Sequence, residues 1–395
     1  MSKCRTLLSI VLLCSSWLSA TQLSDYSAQE LYAVGKSLRA QGEYAKALIY
    51  FRESSKKNPN DSALLLELGF AHLACDHFTK GFELLDVHFQ QVMPLAKQWH
   101  GESLIGKSIL IHCPNWGHGD LFMMMRFIKL LKDRPTQTII IAAPHSTVNF
   151  VQNNYYIDYT INNHPEYPNC PGSYDPCRMF LTDPANTPHY DYEAHLWSLP
   201  ALLNCTKKTI PTIPYLKACP ERISVWRSQL DSLHTLKVGL CWQGTQRNDQ
   251  ENQQRSIPFQ LLKQLFSLPN TTFYSLQIGC GTEQLAEGEQ LSNFVTIPNL
   301  DRNCGAFEDT AALIENLDLV ISVDTSIAHL AGGLGKKVFV LLPAAADWRY
   351  MVNRTDSPWY PTMKLFRQSK NGDWNSVIEQ IRNEMSALAK PAINN

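Results

Sequence analysis

Charge is scarce in this sequence: of its 395 residues, Asp, Glu, Lys and Arg make up 18%, below the roughly 25% usual for soluble domains. Hydrophobic residues supply 44%, which excludes a disordered or fibrous chain and leaves ample material for packed cores. Neither sign of charge dominates, with 35 Lys and Arg against 36 Asp and Glu. No overall basic field exists to hold nucleic acid, so no nucleic-acid partner is expected. Past the N-terminus, no apolar run in the sequence reaches the about 20 residues that a membrane-spanning helix needs. The 11 cysteines are too sparse for a disulfide scaffold, and their odd number leaves at least one thiol unpaired. Cys241 and Cys280 lie in or beside apolar strand-like runs, where cysteine behaves as a small buried hydrophobe. At about 100–200 residues per domain the length implies two or three domains.

What is present begins with a leader-like N-terminus over residues 1–22. Lys3 and Arg5 precede an apolar stretch from Thr6 to Ala20, which ends in small residues before Thr21-Gln22. This is the layout of an export signal. Leu18 fits an A-x-A cleavage site poorly, which keeps an uncleaved anchor open, and Leu13 before Cys14 is wrong for a lipoprotein site.

Residues 25–100 carry an internal repeat. Counting from Ala28, the positions Leu31, Gly35, Leu38, Tyr44, Ala47, Phe51 and Pro59 follow helix–turn–helix spacing. From Ser62, 34 positions on, Leu65, Gly69, His72, Phe78, Gly81 and Leu85 fill the same slots. That period is the tetratricopeptide length, with small residues where helices cross. An ordinary amphipathic hairpin pair fits the apolar spacing but not the matched glycine and aromatic slots. Two repeats are few for a free-standing solenoid, so they are expected to pack on the next domain or to be capped by the segment around Leu95–Trp99.

From Gly106 the period changes. Ser108–Cys113 and Thr138–Ala143 are continuous apolar runs flanking a helical Leu121–Leu131. Strand, helix, strand of this kind predicts a parallel sheet covered on both faces. The stretch from Asn163 to Pro188 is dense in Pro, Asn and Tyr and reads as a long surface loop; its Cys170 and Cys177 could pair after export. A zinc site there lacks two further ligands. A second series of strands runs through Leu236–Trp242, Phe273–Ile278, Leu317–Val323 and Lys337–Leu342, with helices at Ile257–Phe266 and Asp309–Asn316 and a closing helix over Trp374–Leu388. The expected architecture is α/β: helical repeats, then two Rossmann-like domains over 101–215 and 216–395, joined near Pro211–Pro220. Ligands in such sheets sit at the carboxyl ends of the strands.

Three stretches there carry chemistry. In Val323–Lys336 a strand leads through a turn into a helix capped by Thr325 or Ser326. Free backbone N–H groups and the positive dipole end would then form a seat for an anion such as a diphosphate. Asp324 suits a sugar hydroxyl, or fixes the loop, and His329 is otherwise a satisfied core histidine. Gly332 and Gly333 let the helix lie close to a neighbour or a ligand, and Gly335 fits its C′ stop. After the first strand, Gly117-His118-Gly119-Asp120 allows a tight turn and presents a carboxylate that could take a proton from an attacking hydroxyl, or simply start the helix. Finally Trp242-Gln243-Gly244-Thr245 ends a strand, with Arg247 and Arg255 beyond it. No counter-acid stands beside Arg255 in the sequence, which suits phosphate binding. Ser275-Leu276-Gln277 ends a neighbouring strand.

Taken together these residues resemble tetratricopeptide-repeat proteins whose C-terminal part is similar to glycosyltransferase family 9, the ADP-heptose:lipopolysaccharide heptosyltransferase group. The likeness covers most of the chain after residue 25. It is strongest in Asp324–Gly332, Asp347-Trp348-Arg349, Ser357–Pro361 and Leu365–Gln368, with Gly119-Asp120, Trp242-x-Gly244 and Ser275–Gln277 in support. Where the repeat-containing group usually has Glu-Gln before the first glycine, this chain has Asn115-Trp116. The resemblance implies a GT-B fold that transfers a sugar from a nucleotide-sugar donor to a glycan or protein acceptor, with no cofactor and no obligatory metal. It implies Asp120 as general base and a donor side made by Gly117, Gly119, Trp242, Gly244, Arg255 and Gln277. It adds Asp324, Thr325, Ser326, His329 and Gly332 to that side. The repeats would grip the acceptor or a protein partner. The alternative is a non-catalytic interaction protein that keeps the fold. Because activated sugars belong to the cytoplasm, an anchored enzyme facing that side reconciles leader and activity.

Overall fold

The computed structural model describes residues 23–113, 117–154, 156–162, 187–212, 214–230, 235–245 and 254–388. The leader, Asn115-Trp116, Cys170, Cys177 and Arg247 lie outside them. The chain divides into two compact units.

The first unit takes residues 23–101 together with Trp197–Ile210 and Ala345–Arg354. Its helices are α1 (Ala28–Ala40), α2 (Tyr44–Lys57), α3 (Ser62–Ala74) and α4 (Phe78–Val92). They pair as two hairpins, each helix of the second starting 34 positions after its counterpart. Ser27 and Glu30 form a reciprocal cap on α1, and Asp61 accepts from Leu64 N–H to start α3, as such residues do at helix N-termini. A side chain on Gly35 would run into the Phe51 ring, and a Cβ on Gly69 would meet Leu85 Cδ2 at 3.0 Å. The two pairs occupy equivalent slots, so the small residues are where the helices cross. A second repeated tie was not visible in the sequence. Ser54 Oγ donates to Ala28 C=O at 2.7 Å, and His88 Nδ1, 34 positions on, donates to Ser62 C=O at 2.7 Å.

Two distant segments complete the core of this unit. The Trp348 ring stacks on Phe70 with centroids 5.0 Å apart, and Trp197 lies 6.3 Å from Phe89. Tyr44 Oη reaches Ala346 C=O at 3.1 Å. Asp347-Trp348-Arg349 of the family-like motif therefore belongs to the helical unit, with Asp347 bonding both the amide and the guanidinium of Arg349.

The second unit holds two parallel sheets. The smaller has the order β3-β2-β1-β4, from β1 (Ser108–His112), β2 (Thr138–Ala143), β3 (Tyr159–Asn162) and β4 (Tyr192–His195). The larger uses β5 (Leu236–Cys241), β6 (Thr271–Ser275), β7 (Phe294–Val295), β8 (Leu319–Val323), β9 (Val338–Leu342) and β10 (Met363–Arg367), in the order β10-β9-β8-β5-β6-β7. Every ladder between them is parallel. Strands β1, β6, β8 and β9 are buried at every residue, which is why β1, β8 and β9 read as largely apolar runs. Strand β6 starts at Thr271 and ends at Ser275, two residues ahead of the expected Phe273 start and short of Ile278. Helix α5 (His118–Lys132) follows β1, and α6 (Pro220–Gln229) precedes β5. Helices α7 (Glu308–Glu315) and α8 (Ser326–Gly333) flank β8, and α9 (Trp374–Leu388) closes the unit by burying Val377, Ile378, Ile381 and Met385 in the core of the larger sheet.

Several expectations shift. Helix α5 begins three residues before Leu121, because Gly117 starts it. The expected helix over Ile257–Phe266 contracts to Phe259–Leu262 and a 3₁₀ turn over Lys263–Leu265. Cys241 is buried as expected, but Cys280 is only half-buried, since it follows the strand rather than lying in it. Among the described residues no helix is long and apolar enough to cross a membrane.

Candidate functional site

The site is built where α5 and α8 meet at the carboxyl ends of β1 and β8. Gly119 makes the approach: a Cβ there would lie 3.0 Å from His329 Cδ2 and 3.5 Å from Ser326 Cα. Asp120, the next residue, stands half-buried in the first turn of α5. Gly117, at the N-cap, is exposed, and a Cβ on it would sit 3.5 Å from Asp120 Oδ2.

Thr325 is the residue that caps α8. Its Oγ1 accepts from Ile327 N–H at 3.3 Å and hydrogen-bonds Ser322 Oγ at 3.0 Å. Cys241 Sγ lies 3.6 Å away, and burial pushes this thiol up from its ordinary range. The cap alters one expectation. Ile327 N–H is engaged by Thr325 Oγ1 and Ala328 N–H by Thr325 C=O, so the first-turn amides are not all open. Ser326 N stands 3.7 Å from where a Gly119 Cβ would be. The dipole of the helix still makes its start attractive to negative charge.

Asp324 joins this start to a cation. Arg255 Nη1 stands 3.7 Å from Asp324 Oδ2, and His329 Nε2 lies 3.9 Å from Oδ1. The sequence offers Arg255 no neighbouring acid; the fold supplies one from 69 positions away, because β5 and β8 are adjacent. Gly244 gives the arginine its berth: a Cβ there would come within 3.1 Å of Arg255 Nε and Nη2. Arg255 Nε has no partner among the described residues.

The side chains around this cation divide by role. Gln277 is buried, with both ends of its carboxamide engaged. Its oxygen accepts from the amides of Trp242 (2.9 Å) and Gln243 (3.0 Å), and its nitrogen donates to the carbonyls of Gln243 (2.9 Å) and Cys280 (2.6 Å). It clamps two loops together, so its bearing on any ligand runs through them. Trp242 is 1% exposed and its indole packs on Phe259 at 4.9 Å. Its Nε1 has no partner among the described residues and would lie 3.2 Å from a Cβ on Gly281. Gly332 faces Tyr360, whose ring a Cβ would meet at 2.5 Å, so of the two neighbours the sequence allowed, a side chain of the same chain takes the place. Gly335, at φ +81°, ends the helix.

Sequence reasoning assigned no role to the residues behind this front. Arg126, Tyr215 and Tyr360 are buried between α5 and α8, and Tyr360 Oη lies 2.9 Å from His329 Nδ1. His118 packs on Phe307 at 5.0 Å and bonds Ser146 Oγ, and burial holds its imidazole below the usual range.

One trio could offer metal ligands among the described residues, Asp301, Cys304 and Asp309, with ligand atoms within 4.8 Å of one another. Its oxygens are already taken. Asp301 bonds Thr310 and the amides of Asp309 and Thr310, while Asp309 bonds Arg222, Trp226 and Cys304.

No protein-family model matches this sequence. Over 356 residues it is 24% identical to Protein FlbA of Caulobacter vibrioides, a match covering 85% of this chain and 58% of that protein. The chain thus spans a little over half the length of the curated relative it matches. Among solved structures, a family 9 glycosyl transferase from Veillonella parvula aligns with a TM-score of 0.49 and 13% identity, covering 74% of this chain and 100% of that one. ADP-heptose lipopolysaccharide heptosyltransferase II of E. coli aligns at 0.47 and 15%, covering 72% and 98%. The O-GlcNAc transferase of Thermobaculum terrenum aligns at 0.33 and 12%, covering 98% and 92%.

Proposed function

We propose that the chain is a glycosyltransferase of the GT-B type that takes a sugar from a nucleotide-sugar donor, and that the helical hairpins are tetratricopeptide repeats that hold the acceptor or a partner. The observation that carries the reading is the pairing of Arg255 with Asp324 at the start of α8. A cation with an unengaged Nε, a helix N-terminus and Ser326 N–H converge there. This is the charge pattern that a departing nucleoside diphosphate requires.

In this reading the diphosphate lies against Arg255 and the first turn of α8, and Asp324 takes a sugar hydroxyl. Asp120, carried to the same place by Gly119, accepts the proton of the acceptor hydroxyl. The acceptor oxygen then bonds the anomeric carbon, whose bond to the diphosphate oxygen breaks, and the electron pair leaves with the nucleoside diphosphate. Cation and helix dipole offset the charge that gathers on it. Trp242, Gln277 and Gly244 shape the loop beneath, and no step calls for a metal ion. The 34-residue repetition of helix starts, crossing pairs and side-chain ties supports the repeat assignment.

The test is transfer itself. A panel of nucleotide sugars is incubated with the protein and hydrolysis or transfer is followed as nucleoside diphosphate release. The reading expects release with at least one donor, and its loss on Asp120→Asn while nucleoside diphosphate binding persists. Equal release by parent and Asp120→Asn would remove Asp120 from the reaction.

A further inference from the structure

Arg126 is fully buried on α5 and, among the described residues, bonds no carboxylate. Its guanidinium donates to the carbonyls of Met123, Pro211 and Trp359 and, through Nη2, to Tyr215 Oη at 2.9 Å. The rings of Tyr215 (4.8 Å), Trp359 (5.5 Å) and Tyr360 (4.5 Å) surround it. Aromatic faces and carbonyl oxygens thus take the place of a counter-ion.

The direction of the hydrogen bonds leaving this cation is fixed by chemistry. A guanidinium has donors and no acceptor, and stays protonated in proteins. Tyr215 Oη must accept from it, which turns the Tyr215 proton toward Tyr360 Oη, 3.4 Å away. A Tyr360 Oη that accepts that proton has its own left to give, and His329 Nδ1, able to accept it, is 2.9 Å distant. Burial raises the Tyr360 phenol well above its ordinary range, so the proton stays available. A neutral imidazole that accepts at Nδ1 carries its hydrogen on Nε2, and His329 Nε2 faces Asp324 Oδ1 at 3.9 Å.

We propose that this one-way chain from Arg126 through Tyr215 and Tyr360 sets the His329 tautomer, presents Nε2–H to Asp324, and makes Tyr360 a positioning residue for the donor loop. The purpose rests on the donor-site reading above; the tautomer does not. Asp324 then has a fixed N–H dipole 3.9 Å from one oxygen and the Arg255 charge 3.7 Å from the other, which bias the loop before α8 at ion-pair range without a direct hydrogen bond. Gly332 serves the same chain, since only a residue without a side chain lets the Tyr360 ring lie against α8.

The experiment is a long-range proton–nitrogen NMR spectrum of the histidine rings of the full chain near neutral pH, with His329 identified by the signal lost in His329→Gln. The expected result for the parent is the Nε2–H tautomer. Tyr360→Phe deletes one hydroxyl, keeps the ring, and is expected to move His329 toward Nδ1–H. Tyr215→Phe gives a smaller change in the same sense. A parent His329 protonated on Nδ1, or a Tyr360→Phe spectrum like the parent's, overturns the proposal. In parallel, ADP, UDP and GDP are titrated into parent and Tyr360→Phe. The expected loss is roughly three- to tenfold in affinity for whichever binds, the worth of one hydrogen bond. A parent that binds none of the three refutes the donor reading. That failure is distinct from failure of the chain, which is read in the tautomer alone. Unchanged affinity beside a changed tautomer overturns the positioning role.

Discussion

Gly119 and His329 touch: a Cβ on the glycine would lie 3.0 Å from Cδ2 of the imidazole. This contact sets the distance between the helix that carries Asp120 and the helix that Asp324 and Thr325 introduce. Gly119→Val is expected to push the starts of α5 and α8 apart, weakening nucleoside diphosphate binding and lowering thermal stability together. Gly119→Ala, which asks only a few tenths of an ångström, should show the same signs to a smaller degree. Calorimetric titration and thermal unfolding of the two variants check this.

Gly332 is subject to a harsher limit, since a Cβ would stand 2.5 Å from the Tyr360 ring. Gly332→Ala should cost roughly 1–3 kcal/mol, the range for overpacking a tight core. Denaturant unfolding measures it, and an unchanged midpoint would mean that Tyr360 does not pack on α8.

Gln277→Ala removes the partner of two amides and two carbonyls at once. With buried orphan groups costing about 1–3 kcal/mol each and loops able to relax, a destabilisation on the order of 3 kcal/mol is expected in denaturant unfolding. Ligand affinity should fall with it, because the loop that seats Arg255 loses its clamp.

The helical unit should carry an acid sensitivity of its own. Burial holds the His72 imidazole down to about 4 from 6.5, aided by the charges of Arg52, His77 and Lys80. A histidine of this kind takes up a proton on unfolding, so its stabilising contribution is complete above pH 6.5 and is lost as pH falls from there toward about 4. Thermal unfolding of the parent should drop across that window, and His72→Phe should flatten the drop. A parallel decline in both would place the sensitivity elsewhere.

Much of this arrangement could be read from the residues. Strand β9 is apolar throughout, and β5 and β8 are apolar but for Lys237 and Ser322, so all three announced themselves; α9 was legible from end to end. Strand β4 was not, because its core-facing residues include Glu193 and His195, which the fold buries beside His112. Helix α6 buries nothing, so it left no periodicity to find. Asp324, Thr325 and Gly119 stood out because strand-turn-helix sequences expose them. Arg126 carried no signal in the sequence; only Tyr215 and Trp359, each more than 80 residues away, reveal why it is inside. Trp197 and Trp348 were equally opaque, since stacking on Phe89 and Phe70 is a long-range fact.

The most direct measurement titrates ADP, UDP and GDP into the parent, Arg255→Ala and Asp324→Ala. A guanidinium on phosphate oxygens is worth roughly tenfold or more in affinity. The account predicts that the parent binds at least one of the three and that both substitutions weaken it, Arg255→Ala by at least about that factor. One dissociation constant shared by all three proteins would contradict it.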